Sequence, residues 1–267
     1  MSTVTIEKIL KAIDSFSPFC YAYEWDNCGL IIGSRDREVR KIAVSLDLGI
    51  KSVEKAVQEG CNCIVTHHPP VFHPIKKIDF SSYTGKLIEK AIQFGINVIA
   101  AHTNWDTSPN GGNKFLASQL GLVELEPISL PRPNLPSPSW DGVIGKLKFP
   151  VNTEALAEEI KARGSFSWVK YYGDCPNIST VAVCEGAGGD LWQEALRAGA
   201  SAFVTAELKH HQIQEALDAG LSLIELSHAQ MEDLTMQALA EKIKAYVGVD
   251  VVLVTGAFKE EKIIYKR

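Results

Sequence analysis

Apolar positions first recur at helical spacing. Ile6, Ile9, Leu10 and Ile13 share one side of a helix from Thr5 to about Ser15, with Thr5 as its cap. Next, Glu24-Trp25-Asp26-Asn27-Cys28-Gly29-Leu30 places a turn of Asp, Asn and Gly ahead of the apolar Leu30-Ile31-Ile32. From Lys41 short apolar runs alternate with helical stretches. Ile42 to Leu46 and Cys61 to Val65 read as strands, with a helix over Lys51 to Glu59 between them. Gly85 to Phe94 reads as a helix, Ile96 to Ala101 as a strand, and Lys114 to Leu120 as a helix after the Gly111-Gly112 break. This alternation predicts parallel strands covered by helices.

Four prolines between Pro131 and Pro138 mark a loop and a candidate boundary. A strand near Val143 to Phe149 and a helix near Thr153 to Arg163 follow. From Thr180 the first pattern returns. Ile42–Thr66 aligns without gaps on Val181–Thr205 at a constant offset of 139, with Ala43, Gly49, Ala56, Gly60, Val65 and Thr66 meeting identical residues. Ala91-x-x-x-Gly95-Ile96-x-Val98-Ile99 is then echoed by Ala216-x-x-x-Gly220-Leu221-x-Leu223-Ile224 at an offset of 125, so the first copy carries 14 more residues around 70–85. Two matches in the same order predict a duplication. The expected fold class is α/β, built from two related domains with mainly parallel sheets. The first takes residues 1–130 plus a C-terminal segment of about 233–267, and the second takes 131–232.

Chemistry gathers where the strands end. In Val65-Thr66-His67-His68-Pro69-Pro70 the prolines close the sheet ladder. Neighbours within a strand point to opposite faces, so the two imidazoles can converge only past the strand's end. His102 and Asp106 follow the next strand. In the second copy the matching ends lead to Glu207-Leu208-Lys209-His210-His211 and to His228 and Glu232, four apart and thus one helical turn from each other. Carboxyl ends of parallel strands are where open α/β sheets place their sites. His67, His68, Asp106, His228 and Glu232 exceed what one catalytic zinc uses. They suit two ions sharing a bridging carboxylate and water. Nitrogen and oxygen donors allow zinc, iron or manganese without choosing among them. Singly, Asp106 also reads as a helix cap, Glu232 as a solvated helix face and His228 as a satisfied polar residue.

Composition narrows the field. A net charge of -5 gives no broad attraction to nucleic acid or an anionic membrane. Hydrophobic content of 46% and charge of 22% describe an ordinary soluble globular chain. No apolar run approaches a membrane span, and charges interrupt the N-terminus before a signal-peptide core forms. Six cysteines without a CxxC read as free thiols in a reducing compartment, the cytoplasm.

Glu24-Trp25-Asp26-Asn27-x-Gly29-Leu30, Thr66-His67-His68-Pro69, His102-Thr103-Asn104-x-Asp106 and His228-x-x-x-Glu232 together resemble the signature set of the Nif-three-like family. That family is also known as the dinuclear metal centre family or the GTP cyclohydrolase I type 2 homologues. The resemblance runs almost the whole length, in order. It implies a dinuclear metal site in the cleft between two related α/β domains. It maps the ligands onto His67, His68, Asp106, His228 and Glu232. It further implies a homohexamer, a trimer of dimers, with a nucleotide as possible substrate. The chain departs from the family at Thr205-Ala206-Glu207, commonly Thr-Gly-Asp, and at Ser227-His228-Ala229, commonly Gly-His-Tyr. The implied reaction is hydrolytic: hydroxide generated at two metals adds to C8 of a guanine ring and formate leaves. Glu207, His210 and His211 are the hydrophilic residues placed to move protons, Glu207 and His211 being the catalytic candidates. A metal-dependent phosphoesterase, or a non-enzymatic metal-binding or scaffold protein, are the rival readings. Gly186-x-Gly188-Gly189-Asp190 is a weaker candidate for holding a phosphate.

Overall fold

The computed structural model describes residues 3–254. The end of the C-terminal segment assigned to the first domain, 255–267, lies outside them. The chain divides into two compact units, residues 3–108 with 236–254, and residues 109–235.

The first unit runs through helix α1 (Ile6–Phe16), strands β1 (Gly29–Ile32) and β2 (Lys41–Ser45), helix α2 (Ile50–Gln58), strand β3 (Cys63–Thr66), helix α3 (Tyr83–Gln93), strand β4 (Asn97–Ala100) and the short helix α4 (Thr103–Thr107). Thr5 caps α1, its hydroxyl accepting from the Lys8 N–H at 3.4 Å, and Ile6, Ile9, Leu10 and Ile13 are buried beneath it. β3 and β4 are buried along their whole length, which is why they read as unbroken apolar runs rather than alternating ones. Ser17 and Asn104 form a reciprocal buried clasp. The Ser17 hydroxyl donates to the Asn104 carbonyl at 2.9 Å, and Asn104 Nδ2 donates back to the Ser17 carbonyl at 2.9 Å. Thr107 adds a bond to the Tyr21 carbonyl at 2.8 Å, so α4 is held firmly against the chain that follows α1.

In the second unit come α5 (Gly112–Gln119), β5 (Val123–Ile128), β6 (Gly142–Val151), α6 (Thr153–Gly164), β7 (Val169–Tyr172), β8 (Ile178–Val183), α7 (Trp192–Arg197), β9 (Ala202–Thr205), α8 (His210–Asp218) and β10 (Ser222–Leu226). Helix α9 (His228–Val247) starts in this unit, and its later turns are counted with the first, as is strand β11 (Asp250–Leu253). The first boundary therefore falls at Ser108/Pro109, ahead of the position expected at 130. The proline-rich 131–138 stretch is a loop inside the second unit, joining β5 to its antiparallel partner β6. The buried Asp141 carboxylate holds that loop, taking the Leu130 N–H at 2.7 Å, the Arg132 guanidinium at 3.0 Å and the Ser139 hydroxyl.

The first sheet has the order β1-β4-β3-β2-β11, parallel from β4 to β11 with β1 antiparallel at the edge. The second has the order β5-β6-β8-β9-β10-β7, parallel over β8-β9-β10 and antiparallel at both flanks. The duplication is visible in the registers. Ile42 pairs with Cys63 as Val181 pairs with Ala202, and Cys63 pairs with Asn97 as Ala202 pairs with Ser222. These are the equivalences that the two sequence offsets require. Gly60 and Gly199 hold the same left-handed conformation after their helices, φ 75° and 91°, which a side chain rarely adopts. The next N–H of each returns to the helix, Cys61 to Ala56 and Ala200 to Ala195.

Ile64 and Phe203 are equivalent core positions, both fully buried. Phe203→Ala is expected to destabilise the protein by about 3–5 kcal/mol through the lost transfer energy and the cavity left behind. Urea denaturation should show the lower midpoint. A loss under about 1 kcal/mol would remove Phe203 from the core.

Candidate metal centre

β3 ends at Thr66, and the His67 N–H then bonds the Ser45 and Leu46 carbonyls at 3.1 Å each, while the His68 N–H bonds Leu46 at 3.0 Å. These bonds carry the chain off the sheet and let both rings turn to the same side. Their centroids lie 5.0 Å apart. β4 ends just before His102, which opens α4 and brings its ring within 5.0 Å of His67 and 5.4 Å of His68. One ligand atom from each of the three imidazoles lies within 4.8 Å of the others. Asp106, on the first turn of α4, reaches His67 Nε2 at 3.5 Å. The first unit therefore brings His67, His68, His102 and Asp106 together.

His102 stands at the end of β4, outside the ligand set expected from the sequence. The available signal is a repeated spacing. His102-x-x-x-Asp106 follows β4 as His228-x-x-x-Glu232 follows β10, so the duplication carries the same His-and-acid pair at the same strand end.

In the second unit His228 is the first residue of α9, and its Nε2 lies 2.9 Å from Oε1 of the buried Glu232. Gly186, just beyond β8, passes beneath them. A Cβ there would come within 2.6 Å of Glu232 Oε1 and 3.5 Å of His228 Nε2, so the absent side chain leaves a cradle at the two donors. Burial works to lower the His228 pKa, but Glu232 and Glu207 outweigh it and raise it above the usual imidazole value. A cation is favoured at this ring, whether a proton or a metal.

The second nitrogen of each ring is the decisive feature. His67 Nδ1 lies 3.0 Å from the Ala101 carbonyl and His68 Nδ1 2.8 Å from Asp47 Oδ1. His102 Nδ1 lies 2.9 Å from Asp26 Oδ1 and His228 Nδ1 2.7 Å from Glu207 Oε1. All four partners are oxygen acceptors, so each Nδ1 is placed to donate and each Nε2 is the nitrogen left for the donor group, where His228 Nε2 also meets Glu232 Oε1 at 2.9 Å. A metal-binding histidine needs this arrangement: the outer oxygen fixes the tautomer and makes the ligand nitrogen more basic. The donor set thus fits a divalent metal with nitrogen and oxygen preference. Among the described residues, neither donor group contains a cysteine. Burial pushes the Cys63 thiol well above its ordinary value, and burial beside Asp26 pushes Cys28 up to about 12.

Asp26 is itself tightly held. It accepts from the Thr103 N–H at 3.1 Å, the Thr103 hydroxyl at 2.5 Å and the Cys28 thiol at 3.0 Å. Burial alone would raise its pKa, but the bonds from His102, Thr103 and Cys28 prevail and keep the carboxyl far below the usual range. Glu207 sits at φ 54°, left-handed and uncommon for a side-chain-bearing residue, in a position that brings its carboxylate to His228. The two catalytic candidates therefore part company. Glu207 stands behind a ligand. His211 is exposed at the start of α8, and none of the described side chains of the site bonds to it.

The Gly186–Asp190 turn uses its glycines for packing. The Gly188 N–H is taken by Thr205 Oγ1 at 3.0 Å, and a Cβ at Gly189 would meet Gln212 at 2.5 Å. A recess of about 590 Å³ in the first unit lies by Asn62, Gly95 and Asn97 at the amino ends of β3 and β4, away from these donors. A smaller one of about 370 Å³ opens beside His68, lined by Asp47, Gly49 and Tyr83. No described helix is long and apolar enough to cross a membrane.

The sequence model of the Duf34/NIF3 (NGG1p interacting factor 3) family matches residues 4–258. A Campylobacter jejuni protein named GTP cyclohydrolase 1 type 2 homolog is 30% identical over 241 residues, covering 90% of this chain and 92% of its own. A Clostridium acetobutylicum protein of the same name is 26% identical, covering 91% and 90%. Among solved structures, a Staphylococcus aureus hypothetical protein superposes with a TM-score of 0.91 at 27% identity, covering 98% of this chain and 100% of that one.

Asp47 supports His68 through its side chain alone among the bonds at this corner, and it is partly exposed. Asp47→Ala should therefore weaken metal binding about 10- to 100-fold while leaving the fold intact. Competition against a chromophoric chelator measures the first and circular dichroism the second. Unchanged metal affinity would make the Asp47–His68 contact structural only.

Proposed function

The chain belongs to the Duf34/NIF3 family, and from that premise we propose that it is a metal-dependent hydrolase with a dinuclear centre that acts on the purine ring of a nucleotide. The observation that carries this reading is that the three candidate ligand histidines, His67, His68 and His228, each have Nδ1 tied to an oxygen, as does the neighbouring His102, which turns Nε2 toward the donor group. We assign His67, His68 and Asp106 from the first unit, and His228 and Glu232 from the second, as the ligands. Two divalent ions, zinc, iron or manganese, would supply a water acidic enough to give hydroxide near neutral pH. The chain's own groups do the rest. Asp26, Asp47, the Ala101 carbonyl and Glu207 hold the imidazoles in the ligating tautomer. Glu207 is exposed beside His228 and is the acid–base group we assign to proton transfer, with His211 as the second candidate. By family resemblance the working form is a homohexamer in the cytoplasm.

Elemental analysis of protein purified without chelator should give more than one metal equivalent per chain. Values that never exceed one after reconstitution would exclude two ions.

Turnover should be read by mass spectrometry on nucleotide mixtures. Formate and a ring-opened nucleotide are expected. Release of phosphate instead would identify a phosphoesterase, and tight metal retention without product would identify a non-enzymatic role. His67→Ala should lose metal and turnover together. At saturating metal Glu207→Gln and His211→Ala should reduce turnover. Full turnover in both would leave neither a catalytic role.

A further inference from the structure

Beside the three imidazoles of the first unit stands an aromatic surface that metal binding does not explain. Trp25 and Tyr23 stack, with centroids 5.3 Å apart and planes 14° apart. Phe72 leans on Trp25 at 5.6 Å and 45°. Trp25 remains 57% exposed and Phe72 40%. Single exposed apolar side chains need no explanation, but large neighbouring rings at a site do. Both meet the His102 ring edge to face, at 6.3 and 6.2 Å.

The surface is fixed to the donors. Asp26, which takes the His102 proton, follows Trp25 directly. Asn27 Nδ2 donates to the Val71 carbonyl at 2.7 Å and so ties the Trp25 loop to the residue before Phe72. Phe72 lies within the region where the first copy is 14 residues longer than the second, and Trp25 precedes the repeat, so neither ring is part of the matched stretches. An element beside a donor cluster, rigidly joined to it and left uncovered, has the properties of a substrate wall.

We propose that Trp25 and Phe72 form a stacking shelf for the planar heteroaromatic ring of the substrate, a purine base. The ring lies on the aromatic faces with its polar edge toward His102 and the neighbouring donors. Stacking on Trp needs neither phosphate nor sequence-specific hydrogen bonds, because every base has a π-face. The inference rests on the nucleotide reading above and assigns its specificity-determining residues.

The test uses the full-length, metal-loaded protein and two probes in equilibrium dialysis: guanosine, which has the ring but no phosphate, and ribose 5-phosphate, which has phosphate but no ring. Guanosine should bind saturably. Trp25→Ala and Phe72→Ala should each weaken it by about tenfold or more. Trp25→Phe should restore much of the affinity, all variants should keep their metal, and ribose 5-phosphate should be indifferent to them. Guanosine affinity unchanged in both alanine variants would overturn the shelf. So would ribose 5-phosphate binding as well as guanosine, or a change of oligomeric mass in Trp25→Ala with guanosine affinity intact, which would make the surface a contact between copies. The two readings separate cleanly. Guanosine bound through Trp25 without any turnover defeats the hydrolase and leaves the shelf. Turnover of a nucleotide with an unchanged KM in Trp25→Ala defeats the shelf and leaves the hydrolase.

Discussion

The site depends on one type of contact, the hydrogen bond from an imidazole Nδ1–H to an oxygen. A neutral imidazole with no such partner divides its proton between two nitrogens and rotates freely. Four rings here have that choice removed, by Asp26, Asp47 and Glu207 and by the Ala101 carbonyl. Each acceptor lies near the end of a strand or just before one, so sheet register sets where each acceptor stands. A one-residue slip of β3 against β2 would reverse every side chain on the strand. The register that places these acceptors is seen in the parallel pairings Ile42–Cys63 and Cys63–Asn97.

Much of this was legible in the sequence because strand ends and prolines are local signals. His67 and His68 announce themselves ahead of Pro69-Pro70, and the α1 stripe with its Thr5 cap needs no tertiary information. The repeat was legible too, since shared core positions impose a shared register. Contacts between distant segments were not legible. Nothing near His68 in the chain says that Asp47 will reach it, 21 residues back, or that Asp26 will reach across 76 residues to His102. Of the antiparallel flanks of the second sheet, β6 was legible near Val143 to Phe149, while β5 and β7 were not. β5 is largely exposed, with acidic residues at 124 and 126, and lacks the apolar run that marked the central strands. The proline-rich stretch was recognised as a loop, but composition could not tell a linker between units from a long connection inside one. Asp141 decides that, through bonds to Leu130, Arg132 and Ser139.

The two copies have diverged in a way that chemistry explains. Both kept a histidine and an acid four residues apart after the strand that ends each repeat. At the preceding strand end the first copy presents His67 and His68, and the second presents Ala206 and Glu207 at the equivalent positions. Glu207 there accepts from His228 instead of adding another imidazole, and it does so from a left-handed backbone that costs on the order of 1–3 kcal/mol. Strain of that size persists only where the surrounding structure imposes it. On either side of that backbone, the Ala206 N–H bonds the Gly186 carbonyl at 3.0 Å and the Glu207 carboxylate meets His228 at 2.7 Å.

The most direct test is the tautomer of each ring. Long-range proton–nitrogen correlation NMR on 15N-histidine protein at neutral pH reports which ring nitrogen carries the proton. In the zinc-loaded protein His67, His68, His102 and His228 should show a protonated Nδ1 and an unprotonated Nε2. For His67, His68 and His228 the Nε2 signal should move when cadmium replaces zinc. A protonated Nε2 at His67, His68 or His228 in the loaded protein would contradict the account, because that nitrogen could not then bind a metal.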